Sequence, residues 1–169
     1  MRAAKERNQL DPELVLTSPL TRALKTALTA FRDDKVLAHP GFAELNDRRP
    51  IPENRGRTLE ELLCDGDMLE MGLEDRVDLS HVQALAWPSG STIDGMEFLR
   101  ERPEERVVIF SHHNYIQRQL EHSLHYVPNC EPIHVIVDFY ETSHRVRLSD
   151  AQHRWWNLSS STRFGEEVD

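Results

Sequence analysis

The sequence predicts an α/β fold: a parallel sheet with helices packed on it, followed by an antiparallel hairpin. Two observations carry this. First, a unit of apolar strand, polar turn and amphipathic helix occurs twice, over residues 14–31 and again from Val107 to Leu124. Strands alternating with helical patterns in this way build parallel sheets. Second, the pattern changes to period two near the end. Ile133, Val135, Val137 and Phe139 alternate with His134, Asp138 and Tyr140, and Val146 and Leu148 begin a return strand. That reads as a hairpin at a sheet edge. A length of 169 residues favours one domain. We place it at 1–158 and take 159–169 as a disordered tail.

Taken in order, residues 2–8 read as the tail of a helix broken by Asp11-Pro12. Leu14, Val15 and Leu16 form a continuous apolar run, as expected of a strand covered on both faces. Ser18 is predicted to cap a helix with Pro19 at its first position. Leu20, Leu24, Ala27, Leu28 and Phe31 then recur at helical spacing. Val36–Ala38 is a second short strand, ended by Pro40-Gly41. A polar loop rich in arginine covers 46–57, after which Thr58 and Glu61 form a capping box before Leu62 and Leu63. Residues 65–91 are acidic and poorly patterned; they read as an irregular insertion or lid with a short helix at 80–85. Ser91 or Thr92 is predicted to cap a helix bearing Ile93, Met96, Phe98 and Leu99, closed by Pro103. Val107-Val108-Ile109-Phe110 is the most strand-like run in the chain. It leads through Ser111-His112-His113-Asn114 into a helix with Tyr115, Ile116, Gln119, Leu120 and Leu124 on its inner side. Trp155 and Trp156 are expected to cover the hairpin.

Charge and composition restrict the function. A net charge of −9 argues against a nucleic-acid or anionic-membrane surface. It leaves room for a small anionic ligand, because a local group of arginines can reverse the global sign. Cys64 and Cys130 are too few for a disulfide framework and suggest a reducing compartment, taken as the cytoplasm. No run has the length to span a bilayer, and the N-terminus has no apolar core of a secretory signal.

The two strand–turn–helix units would bring their polar residues to one carboxyl edge of the sheet, where open α/β sheets bind ligands. Arg22 follows the first strand and His112 the second. Arginine offers a planar fork of donors to a phosphate, and a protonated histidine can donate to the same group. Glu44 could give a proton to a leaving oxygen or take one from water. The arginines at 48, 49, 55 and 57 would lie nearby. Metal binding is the competing use of histidine. His122 and His125, three apart, could share an ion, but no third ligand stands at a familiar spacing. Neither cysteine sits at a strand end beside a basic group, as a nucleophile would.

LVLTSPLTRALKTA resembles one of the conserved blocks of the histidine phosphatase superfamily, the phosphoglycerate mutase-like proteins, and EERVVIFSHHNYIQRQL resembles its later strand–histidine–helix block. FAELNDRRPIPENRG is similar to the segment that carries the family's acidic residue. The resemblance covers about residues 3–124 and implies a three-layer α/β/α phosphoglycerate mutase-like fold, truncated at the N-terminus. It implies phosphomonoester hydrolysis or phosphoryl transfer through a phosphohistidine, on a small phosphorylated metabolite or a phosphoprotein, with no metal or organic cofactor. Arg22 then matches a phosphate-binding arginine, His112 the second, phosphate-holding and catalytic histidine, and Glu44 the catalytic acid. The family's Arg-His-Gly-type strand, which bears the nucleophile, has no counterpart in this sequence. The expectation is therefore a chain with little or no turnover. Its alternatives are a pseudophosphatase that binds a phosphorylated ligand or partner, and a gene fragment. A sheet lacking a strand would also favour self-association.

Overall fold

The computed structural model describes residues 11–44, 54–85, 87, 94–121 and 132–150. It is a mixed α/β structure whose contacts divide the chain into two units, Met1–Ile116 and Gln117–Asp169. The first unit is built on a four-stranded parallel sheet: β1 (Leu14–Thr17), β2 (Val36–Ala38), β3 (Val77–Asp78) and β4 (Val107–Phe110). The spatial order is β3-β2-β1-β4. The chain thus moves outward from β1 to one side, then returns to pair β4 on β1's other side. That reversal between β1 and β4 is a topological switch point, where neighbouring loops diverge and leave a crevice outside the carboxyl ends of the strands. Register places Leu16 opposite Ile109 and Thr17 opposite Phe110.

Helix α1 (Thr21–Ala30) covers one face of this sheet through Ala23, Leu24, Ala27 and Leu28, all buried. Phe31 meets Phe110 edge to face at 5.8 Å. The helix starts later than the Ser18-Pro19 pair suggests. Its N-cap is Leu20, which offers no side-chain cap, and Arg22 is its second residue. The Ser18 hydroxyl accepts the Leu20 N–H at 3.2 Å, forming a turn ahead of the helix rather than its cap. At the other end Arg76 donates to the Leu28 carbonyl (3.2 Å) and to that of Phe31, so a cation satisfies carbonyls at the negative end of the α1 dipole.

The segment 65–91 is not an irregular lid. After α2 (Leu59–Leu63), which carries the expected Thr58–Glu61 capping box, come α3 (Gly66–Glu70), α4 (Leu73–Arg76), strand β3 and α5 (Ser80–Ala84). Met68, Leu73, Val77 and Val82 join the main core. Each piece is only two to five residues long, too short for a visible period. The starts are set locally: Asp65 accepts from the Met68 N–H, Asp78 from the Ser80 N–H, and Gly72 takes a left-handed φ of 83°.

Two further helices complete the first unit's frame. Asp94, rather than Ser91 or Thr92, caps α6 (Gly95–Arg100) by accepting from the Met96 N–H at 2.8 Å. A Cβ at Gly95 would meet the Phe42 ring at 2.6 Å and the Gly41 carbonyl at 2.8 Å, so the missing side chain is what lets α6 approach a 3₁₀ turn at Pro40–Phe42. Helix α7 (His113–Gln119) begins as soon as the histidine turn after β4 ends. In the second unit, β5 (Val135–Phe139) and β6 (His144–Leu148) form the expected antiparallel hairpin, with Val137 opposite Val146, but as a two-stranded sheet of its own rather than at the edge of a larger one. The helix at 2–8, Ile93, Leu124, the tryptophans at 155 and 156 and the 159–169 tail lie outside the described residues. No helix among the described residues is long and apolar enough to cross a membrane.

Candidate phosphate site at the switch point

Ser18 follows directly on β1, and His112 comes just after Ser111 at the end of β4; these two strands flank the switch point. The Ser18 N–H bonds the Phe110 carbonyl at 2.9 Å, so the two strand ends stay paired beyond their last residues. His112 is buried, with its ring packed inward at the start of α7. Its carbonyl receives the Ile116 N–H at 2.9 Å, which makes it the N-cap residue of that helix.

Both ring nitrogens of His112 are engaged. Arg22 Nε donates to Nδ1 at 3.2 Å, and Nε2 lies 2.8 Å from the Ser18 hydroxyl. An arginine cannot accept, so Nδ1 must carry the lone pair and Nε2 the proton. His112 is therefore neutral, donating from Nε2 to Ser18. Burial, and next to it the charge of Arg22, push its pKa down to about 4. To donate to a phosphate from both nitrogens, this ring would first have to take up a proton. The same tautomer rules out a Ser18–His112 nucleophile–base pair, because the nitrogen facing the hydroxyl holds a proton instead of accepting one.

Arg22 reaches this ring from the exposed face of α1. Its Nη2 donates to Asn54 Oδ1 at 2.7 Å. The guanidinium of Arg22 and the neutral ring of His112 thus stand side by side at the crevice.

Glu44 lies just after the 3₁₀ turn, and its Oε1 accepts the Tyr115 N–H at 3.3 Å. Tyr115 is the third residue of α7. Its N–H is one of the donors that an N-cap side chain ordinarily takes. His112 cannot serve, since its ring is turned to Ser18 and Arg22, and Glu44 fills the role from another part of the chain. Ser111 pins the same turn by donating its hydroxyl to the Phe42 carbonyl at 2.8 Å. The structure thus brings Arg22, His112 and the α7 start together as the sequence predicts, with Glu44 bonded as a helix-capping carboxylate. Arg57 is not at the crevice. It pairs with Asp65 and the Glu61 carbonyl, closing the α2–α3 turn. Arg48 and Arg49 lie outside the described residues.

Ser18 and Asn54 are the participants that sequence reasoning missed. Ser18 carried a signal, as a buried-strand terminus next to proline, but one equally suited to a helix cap. Asn54 carried none, since its contact with Arg22 spans 32 residues.

A second histidine stands at the end of the neighbouring strand. His39 follows β2, is fully buried and accepts the Gly41 N–H at Nδ1 (3.1 Å). Its ring stacks on Phe98 with centroids 4.3 Å apart, and His81 lies 4.9 Å away. Burial and the neighbouring His81 push its pKa down to about 4. Among the described residues no group of three or more histidine, cysteine, aspartate or glutamate side chains is arranged to hold a metal ion. No family model matches the chain, and no curated protein or solved structure does.

Proposed function

We propose that this chain is a phosphate-binding protein of the histidine phosphatase type, with a phosphoglycerate mutase-like sheet. In this reading Arg22 and His112 receive the phosphoryl group of a small phosphorylated metabolite or a phosphoprotein. One observation carries the reading: these two side chains, 90 residues apart in the chain, meet at 3.2 Å beside the switch point of a parallel sheet. The guanidinium supplies charge and directed donors. His112 supplies a neutral imidazole whose Nδ1 can take up a proton once an anion draws the Arg22 Nε–H away from it.

Turnover through a phosphohistidine needs a ring nitrogen whose lone pair faces phosphorus. The lone pair of His112 receives Arg22, and that of His39 receives Gly41 within a buried aromatic cluster. Glu44 is engaged at Oε1 by the Tyr115 backbone N–H, as a helix cap. These arrangements favour binding without chemistry, and the parent activity of phosphomonoester hydrolysis or phosphoryl transfer is reduced to its binding step. The test is a titration with inorganic phosphate and vanadate alongside a p-nitrophenyl phosphate assay. The reading expects weak anion binding that Arg22→Ala abolishes, and hydrolysis at the buffer rate. Hydrolysis lost on His112→Ala would overturn the claim of inactivity, and absence of any anion binding would overturn the site.

A further inference from the structure

A buried hydroxyl stands behind the His112 ring. Ser18 is fully buried just past β1, and its Oγ lies 2.8 Å from His112 Nε2. The same oxygen accepts the Leu20 N–H at 3.2 Å, so the turn ahead of α1 fixes where it sits. With Nδ1 accepting the Arg22 Nε–H, the proton of the neutral ring is on Nε2, and Ser18 is its acceptor.

This arrangement makes the two ring nitrogens unequal. Nε2–H donates to Ser18 whether the ring is neutral or charged, so protonation breaks nothing on that side. Nδ1 is the nitrogen that can gain a proton, and it faces Arg22. An anion that takes the Arg22 Nε–H leaves the Nδ1 lone pair turned toward a negative oxygen. A proton taken from solvent at Nδ1 converts that repulsion into a hydrogen bond to the anion. The bond to Ser18 then becomes charge-assisted and stronger, because imidazolium is the better donor. Arg22 is the charged group that α1 presents to the ring. Glu44 accepts the Tyr115 N–H, and His113 is the next residue of the chain; among the described residues neither bonds the His112 ring.

We infer that Ser18 is a positioning residue for anion binding: it locks His112 in the tautomer that takes up a solvent proton at Nδ1, on the anion's side, and it stabilises the ring once charged. The inference rests on the phosphate-binding reading above. It makes the site pH-regulated. Affinity for a dianion of fixed charge rises as the pH falls, because the complex holds a proton that the free protein lacks.

The test is calorimetric titration of the full chain with sulfate, a tetrahedral dianion whose own charge does not change between pH 8 and 5.5. Measurement at both pH values, in two buffers of different ionisation enthalpy, gives the affinity gain and the number of protons taken up. The native protein is expected to bind about tenfold tighter or more at pH 5.5 and to take up a proton. Ser18→Ala should cut that gain by roughly threefold to tenfold, the difference between a charge-assisted and a neutral hydrogen bond. Thr17→Val removes the adjacent buried hydroxyl, which bonds the Ser18 carbonyl at 3.1 Å, and should keep the native gain. Equal affinity at both pH values with no proton uptake would overturn the inference and leave the anion site standing. So would a native gain in Ser18→Ala, or an equal loss of gain in Ser18→Ala and Thr17→Val, which a packing fault alone would produce. If Ser18→Ala does not fold, the ring nitrogen resonances of native His112 decide. Protons on both nitrogens with sulfate bound at pH 5.5 support the inference, and a bare Nδ1 overturns it. Absence of sulfate binding at either pH removes the phosphate-binding reading and the inference together.

Discussion

Two histidines stand past the ends of β2 and β4, on either side of β1, and have opposite characters. His39 after β2 and His112 after β4 are both buried, and burial with a neighbouring positive or titratable group brings both pKa values down to about 4. His39 faces aromatic rings: Phe98 stacked on it, Phe42 at 5.7 Å and His81. Its Nε2 is buried with no hydrogen-bond partner among the described residues, and its Nδ1 accepts the Gly41 N–H. It is a core ring that happens to be an imidazole. His112 is held on one side by a buried hydroxyl and on the other by an arginine that reaches solvent. A low histidine pKa at a strand end therefore does not identify a site. What distinguishes the two is the charged side chain of Arg22 bonded to His112 on the switch-point side.

The broadest expected effect falls on both histidines together. The folded protein keeps them neutral down to about pH 4, whereas the unfolded chain protonates them near the ordinary 6.5. Between those values the unfolded state binds more protons, so stability rises with pH across the window. It is unaffected by these rings above about 6.5 and falls as pH drops toward 4. Each ring costs on the order of 3 kcal/mol by the bottom of that window, about 6 kcal/mol for the pair. Urea unfolding at pH 7.5, 5.5 and 4 should show the loss. Replacing either histidine by glutamine should flatten the dependence by roughly half.

The comparison is sharpened by truncating the core ring. His39→Ala removes a fully buried side chain from an aromatic stack and is expected to cost about 3 kcal/mol of stability. Its phosphate affinity at neutral pH should stay native while the protein remains folded. His112→Ala should lose phosphate binding as well as stability. Equal loss of phosphate binding in the two variants would erase the distinction between core and site.

The legibility of this arrangement in the sequence follows from chain distance. Val15-Leu16 and Val107–Phe110 announced themselves as strands, because a buried parallel strand has no polar break to hide it. Arg22 and His112 could be placed together because each follows such a strand at the same, carboxyl edge. Strand β3 was hidden: Val77-Asp78 is two residues long, and only its pairing to Val36 and Leu37 makes it part of the sheet. The start of α1 was misplaced because Ser18 has two possible uses, and its bond to His112 cannot be seen from its neighbours. Glu44 was legible as a carboxylate near the site, but its role as the missing cap of α7 depends on a backbone N–H 71 residues away.

The most direct measurement follows the ring signals of His112 and His39 by nuclear magnetic resonance through a pH titration, without and with saturating inorganic phosphate. The account predicts midpoints near 4 for both rings in the free protein. Phosphate should raise the His112 midpoint, since a nearby anion favours the protonated ring, and leave that of His39 in place. A His112 midpoint that phosphate does not move, or one that moves in step with His39, would contradict the claim that Arg22 and His112 form a phosphate site.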